Sequence, residues 1–82
     1  MQQQEIYAQL TAIFHDLFDD ETLVLTPGLT AADVPEWDSF NHINLIVSVE
    51  SRFQIKFQTA ELESLRNVGE LVEKIQQKLN RR

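Results

Sequence analysis

The chain has 82 residues, of which 43% are hydrophobic, and no cysteine; that is length enough for one core and no second one, and it excludes disulfides and thiolate metal sites. Net charge is −6, distributed as nine acids without a single Lys or Arg up to Glu50, then four acids against seven bases from Ser51 onward. Such an acidic front repels nucleic acid, whose binding is mostly phosphate neutralisation, and suits a partner with a basic patch, chiefly by speeding encounter.

Met1-Gln2-Gln3-Gln4-Glu5 lacks both a basic n-region and an apolar run. No signal peptide and no membrane insertion are expected, and the location expected is cytoplasmic. From about Gln3 to Phe18, Ile6, Leu10, Ile13, Phe14 and Leu17 recur at helical spacing, flanked by Tyr7 and Phe18. They predict a first amphipathic helix, with His15 opposite the stripe and in solvent. Asp19 and Asp20 end the pattern. The connection from Glu21 to Trp37 holds both prolines and the turn signal Thr26-Pro27-Gly28. Its Leu23, Leu25, Leu29 and Val34 are too apolar for a free linker, so the loop is expected to pack on the helices. Structured loops of this length in small domains are uncommon and often functional.

Asp38 is placed to cap a second helix running to Phe53. Leu45, Ile46, Val49 and Phe53 share one arc and read as core. Phe40, Ile43 and Val47 form a second stripe, either packed under the loop or the next short helix, or left open for docking. Arg52-Phe53-Gln54-Ile55-Lys56-Phe57 alternates like a strand. With no second strand to pair with, it is expected to be an extended segment inserting Ile55, with Phe57 beside it, into the core. A short helix from Thr59 to about Leu65 follows. Asn67-Val68-Gly69-Glu70 has capping-box spacing and opens a last helix with Val68, Leu71, Val72, Ile75 and Leu79 on one stripe. The predicted fold, over residues 1–82 as one domain, is all-α. It is a small four-helix bundle, three longer helices and one short, with a long structured loop between the first two.

The segment Asp33-Val34-Pro35-Glu36-Trp37-Asp38-Ser39-Phe40 places Ser39 at the first turn of the second helix. A hydroxyl there points away from the core. Free amides and the helix dipole favour an anionic group there by roughly 0.3–1 kcal/mol, opposed by Asp38 and Glu36. That arrangement suits modification by another protein. An enzyme reading pairs Ser39 as nucleophile with His42 as base, three residues on. No third group orients His42 and no Gly-rich oxyanion element precedes the serine, so no catalysis is expected and His42 reads as a packing or capping residue. Asp16, Asp19, Asp20 and Glu21 lack the alternation and glycine of a calcium loop, and no metal site is expected. An unmodified interaction module would show nearly the same residues.

Trp37-Asp38-Ser39-Phe40-Asn41-His42-Ile43 resembles the Asp-Ser-Leu signature of acyl carrier proteins. The likeness extends over nearly the whole chain, through the acidic loop, the helix closing at Phe53, the segment to Phe57 and the last two helices. The resemblance implies that Ser39, preceded by Asp38, receives 4′-phosphopantetheine from coenzyme A through a phosphopantetheinyl transferase. It implies a free-standing carrier of acyl thioesters that serves acyl-transferring, condensing or ligase enzymes with basic or apolar docking patches; as a small acidic bundle, the chain is expected to be monomeric. Family members dock through the second helix, and the matching positions are Phe40, Ile43, Asn44, Val47 and Glu50. Phe40 stands where Leu is usual. Asn41, Asn44 and Ser48 replace acids common on that helix, which points to a dedicated fatty-acid, polyketide, or lipid- or polysaccharide-related pathway. A free-standing aminoacyl or peptidyl carrier stays open, although Glu36-Trp37-Asp38 lacks the glycines usual before the serine in peptide assembly lines. The acyl chain is expected to be shielded by Ile43, Val47, Leu62 and Leu65 between the second and third helices.

Overall fold

The computed structural model describes residues 2–81. They form four α-helices: α1 (Gln3–Phe18), α2 (Ser39–Phe53), α3 (Thr59–Ser64) and α4 (Val68–Asn80), with a 3-10 turn, Ala31–Asp33, in the long loop. No strand occurs among the described residues, and the all-α four-helix architecture expected from periodicity is the one observed.

α1 is the hub and packs against both α2 and α4. It buries Ile6, Leu10, Ile13, Phe14 and Phe18. Phe18, not Leu17, completes the stripe, because its ring meets Phe14 at 5.4 Å and joins an aromatic cluster. The helix ends where Asp19 turns left-handed at φ 51° and its N–H returns to the His15 carbonyl, a conformation that Asp tolerates better than most residues. His15 departs from expectation. It is half-buried rather than free in solvent, because the loop doubles back over α1 and the ring's Nε2 bonds the Leu23 carbonyl oxygen at 2.8 Å. One turn of loop away, the Asp20 carboxylate accepts from the Thr22 hydroxyl and N–H, which hold its proton affinity below the usual carboxylate range.

α2 buries Leu45, Ile46, Val49 and Phe53, the arc its sequence marks as core. It stops at Gln54, left-handed at φ 55°. The extended segment that follows buries Ile55 and half-buries Phe57. Its period-two pattern needs no partner strand, since the Phe57 N–H donates to Glu50 Oε2 at 2.8 Å. α3 buries no side chain fully. It is held by Glu61, whose carboxylate accepts from Lys78 Nζ at 2.8 Å, with Lys74 4.0 Å away. Lys78 also lies 5.2 Å from the Phe57 ring centroid, a cation–π arrangement. The hydrogen bond from Lys78, then that from the Gln58 N–H, depresses the Glu61 proton affinity.

The start of α4 accounts for its orphan amides one by one. Val68 N–H donates to the Leu29 carbonyl at 2.9 Å and Gly69 N–H to that of Pro27 at 3.0 Å. Asn67 Oδ1 accepts from the Glu70 N–H at 2.8 Å. Only half of the expected capping box forms, because the Glu70 carboxylate accepts from the Arg66 N–H at 3.4 Å instead of from Asn67. The long loop is thus fastened at both legs, by His15 to α1 and by two carbonyls to α4.

Candidate functional site

Ser39 is the first residue of α2 and is exposed, as is Asp38 before it. The junction that presents the serine is built from short local bonds. Asp38 Oδ1 accepts from the Asn41 N–H at 2.8 Å, capping the helix. Asn41 Nδ2 donates to the Glu36 carbonyl at 2.7 Å, and the Trp37 N–H donates to the Val34 carbonyl at 2.9 Å. These bonds fold the loop back onto the helix start, so the Ser39 backbone has little freedom while its side chain faces water.

Beneath the junction lies Trp37, a core residue that periodicity did not single out. It is buried, its ring edge-on to Phe14 at 5.3 Å and tilted against Phe18 at 6.4 Å. A large aromatic set between two acids, Glu36 and Asp38, is the signal that would have found it. The indole Nε1–H donates to His42 Nδ1 at 3.1 Å, and the two rings stack at 24°. Indole N–H only donates, so Nδ1 carries no proton and the imidazole is neutral, with its proton on Nε2. Burial further lowers the ring's proton affinity. His42 is therefore a packing residue of the loop, and its Nδ1 is committed to Trp37.

Ser39 opens onto a groove of about 790 Å³ between the start of α2 and α3. Trp37, His42, Ile43, Leu62 and Leu65 line it, with Glu63 and Arg66 also at its wall. Of the residues expected to shield a chain, Ile43, Leu62 and Leu65 meet here. Val47 does not. One turn further along α2, beyond the reach of the short α3, it lines a second groove of about 580 Å³ with Ile13 and Leu17 of α1. Phe40, Ile43 and Val47 are exposed, while Asn44 is half-buried. Glu50, also half-buried, spends an oxygen on the Phe57 N–H, and Arg52 Nε donates to Gln9 Oε1 at 3.2 Å. Each charge of the α2 body thus has a partner within the chain, Glu50 half-buried and Arg52 at the surface, and the outer stripe is apolar.

The arrangement is an exposed serine at a helix start, beside an apolar groove in a four-helix bundle. No family model matches the chain. The meromycolate extension acyl carrier protein of Mycolicibacterium aurum is 32% identical over 74 residues, 90% of this chain and 76% of the relative. The acyl carrier protein of Thermotoga maritima is 28% identical over 76 residues, 93% and 94% of the two chains. In solved structures, the solution NMR structure of a holo acyl carrier protein from Geobacter metallireducens superposes with a TM-score of 0.87 at 47% identity, covering 92% of this chain and 86% of that one. The chain belongs to the acyl carrier protein family. It is a carrier and not an enzyme, and its cofactor is covalent 4′-phosphopantetheine. The surroundings of Ser39 fit that group: an outward hydroxyl, helix-start amides for a phosphodiester, and a groove beside it with Arg66 at its wall.

Proposed function

We propose that Ser39 is the attachment point of the phosphopantetheine arm, with Asp38 capping the helix that presents it. The arm's thiol supplies the thioester chemistry; the chain supplies the tether, a place for the cargo and a docking face. The observation that carries this reading is the exposed position of Ser39 at the first turn of α2, opening onto the groove. Ile43, Leu62 and Leu65 then offer an acyl chain an apolar wall. Phe40, Ile43 and Val47 form the docking stripe, with Asn44 and Glu50 at its side.

The partners proposed are a phosphopantetheinyl transferase and the acyl-transferring, condensing or ligase enzymes of a dedicated fatty-acid, polyketide, or lipid- or polysaccharide-related pathway, acting on a monomeric carrier in the cytoplasm. Support comes from the α2 face, whose acids are few and internally engaged, so recognition by apolar contact outweighs recognition by charge. Among the described residues no helix is long and apolar enough to cross a membrane.

Intact mass after incubation with coenzyme A and a phosphopantetheinyl transferase tests the assignment. The wild-type chain gains one phosphopantetheine and Ser39→Ala gains none. No gain in the wild type, or a gain that persists in Ser39→Ala, refutes it. An aminoacyl rather than acyl cargo on the protein from its native cells would refute the pathway reading alone.

A further inference from the structure

Trp37 and His42 bracket Ser39 in sequence and are bonded to each other across it. Trp37 is in turn anchored in the aromatic cluster of α1, through Phe14 at 5.3 Å and Phe18 at 6.4 Å. The position of Ser39 relative to the bundle therefore depends on a chain of contacts running from α1 through the indole to the imidazole. The link between the last two works in one protonation state only. An imidazolium has an N–H at both nitrogens, and an N–H facing the indole N–H is a repulsive contact between two donors.

We propose that His42 is a positioning residue for Ser39: its unprotonated Nδ1 clamps the indole of Trp37 and so fixes the loop-to-helix junction for the modifying transferase, and protonation of the ring opens that clamp. The proposal rests on Ser39 being the attachment point. The charged groups around the same groove are Asp38 at the start of α2, Glu63 on α3 and Arg66 just beyond it. α1 contributes the apolar rings of Phe14 and Phe18 to the Trp37 side. Burial depresses the ring's proton affinity from its usual value of 6.5. The folded chain then binds this proton less readily than the unfolded chain. The stability so gained is complete above about pH 6.5 and is lost as the pH falls through the lower folded value.

The chain has a single tryptophan, so one indole N–H resonance reports the clamp. In the apo protein, titrated down from about pH 8 until the His42 ring is protonated, that resonance is expected to shift with the same midpoint as the ring, which burial holds below the usual imidazole value. The same series measures kcat/KM for phosphopantetheine transfer, as the ratio of wild type to His42→Asn at each pH. Asn places an oxygen acceptor where Nδ1 stood and does not titrate. The ratio is expected to fall by about 2- to 10-fold across the titration, the rate equivalent of one lost hydrogen bond. Trp37→Phe, which keeps an aromatic ring in the cluster and removes the donor, is expected to be slow at every pH and flat across it relative to His42→Asn. A motionless indole resonance, or a ratio constant with pH, overturns the clamp while leaving the Ser39 assignment intact. A wild-type chain that is never modified overturns that assignment instead. Because the first measurement uses the unaltered protein, it decides the matter even where a variant fails to fold.

Discussion

At Phe40, Ile43 and Val47 the chain leaves large apolar side chains in water, 73%, 63% and 57% exposed, on a helix whose other arc is fully packed. Single exposed apolar residues are ordinary, but three on successive turns make a continuous stripe that asks for a partner. Val47 is the informative one to change, because its contact with the bundle is confined to a shallow groove shared with Ile13 and Leu17. Replacing it with Asp removes little buried area and leaves the new carboxylate free to stay hydrated, so folding stability should change by no more than about 0.5 kcal/mol. Docking is another matter, since a partner covering the stripe would desolvate that charge. Transfer by an acyl-handling partner should weaken by about 1–3 kcal/mol in kcat/KM. Thermal unfolding and steady-state transfer kinetics on the same preparation separate the two effects. Cooperative loss of the fold in Val47→Asp would make the residue core, and unchanged kinetics would remove it from the docking stripe.

Between elements, the long loop approaches the start of α4 closely at Gly69. A Cβ on Gly69 would lie 3.0 Å from the Pro27 carbonyl oxygen and 3.2 Å from its Cβ. Ala in a free helix is about 0.8–1 kcal/mol better than Gly. Here that gain must displace the very carbonyl that accepts the Gly69 N–H, and disturb the neighbouring Val68 to Leu29 bond, each net about 0.5–1.5 kcal/mol. Gly69→Ala is therefore expected to show no rise in thermal midpoint and faster amide exchange at Val68 and Gly69. A full helix-propensity gain would mean that the loop yields freely. This contact also marks the limit of what periodicity conveys. The arcs of α1, α2 and α4 were legible because each buries a face repeating at the helical period. Ser39 was legible because its cap and the helix start are local in sequence. Contacts between distant segments carry no period. That is why Trp37 entering the α1 cluster, and His15 bonding Leu23 where the loop doubles back, came only with the fold; Glu70 choosing the Arg66 N–H over Asn67 is local, but spacing alone does not decide between two neighbouring donors. Val47 was misplaced for a related reason: one helix face extends past the end of the short α3, and the sequence does not say where that cover stops.

For the molecule as a whole, charge distribution and size decide how salt acts. The nine acids up to Glu50 have no Lys or Arg among them, and the described chain measures 33 × 26 × 22 Å. Against that repulsion stands the cluster of Glu61 with Lys78 at 2.8 Å and Lys74 at 4.0 Å. The Debye length is about 30 Å at 0.01 M ionic strength and about 8 Å at 0.15 M. At the lower value every acid on the front senses every other across the whole domain. At the higher value only near neighbours do. The ion pair is shorter than either length and, being half-buried, is screened least by the change. Added salt thus removes more repulsion than attraction, and the thermal midpoint should rise from about 0.01 M to 0.15 M sodium chloride. The Lys78→Gln variant should rise at least as steeply, having lost the attraction that salt weakens. A midpoint that falls with salt would show that the α3–α4 ion pairs, rather than the acidic front, dominate the electrostatics of the fold.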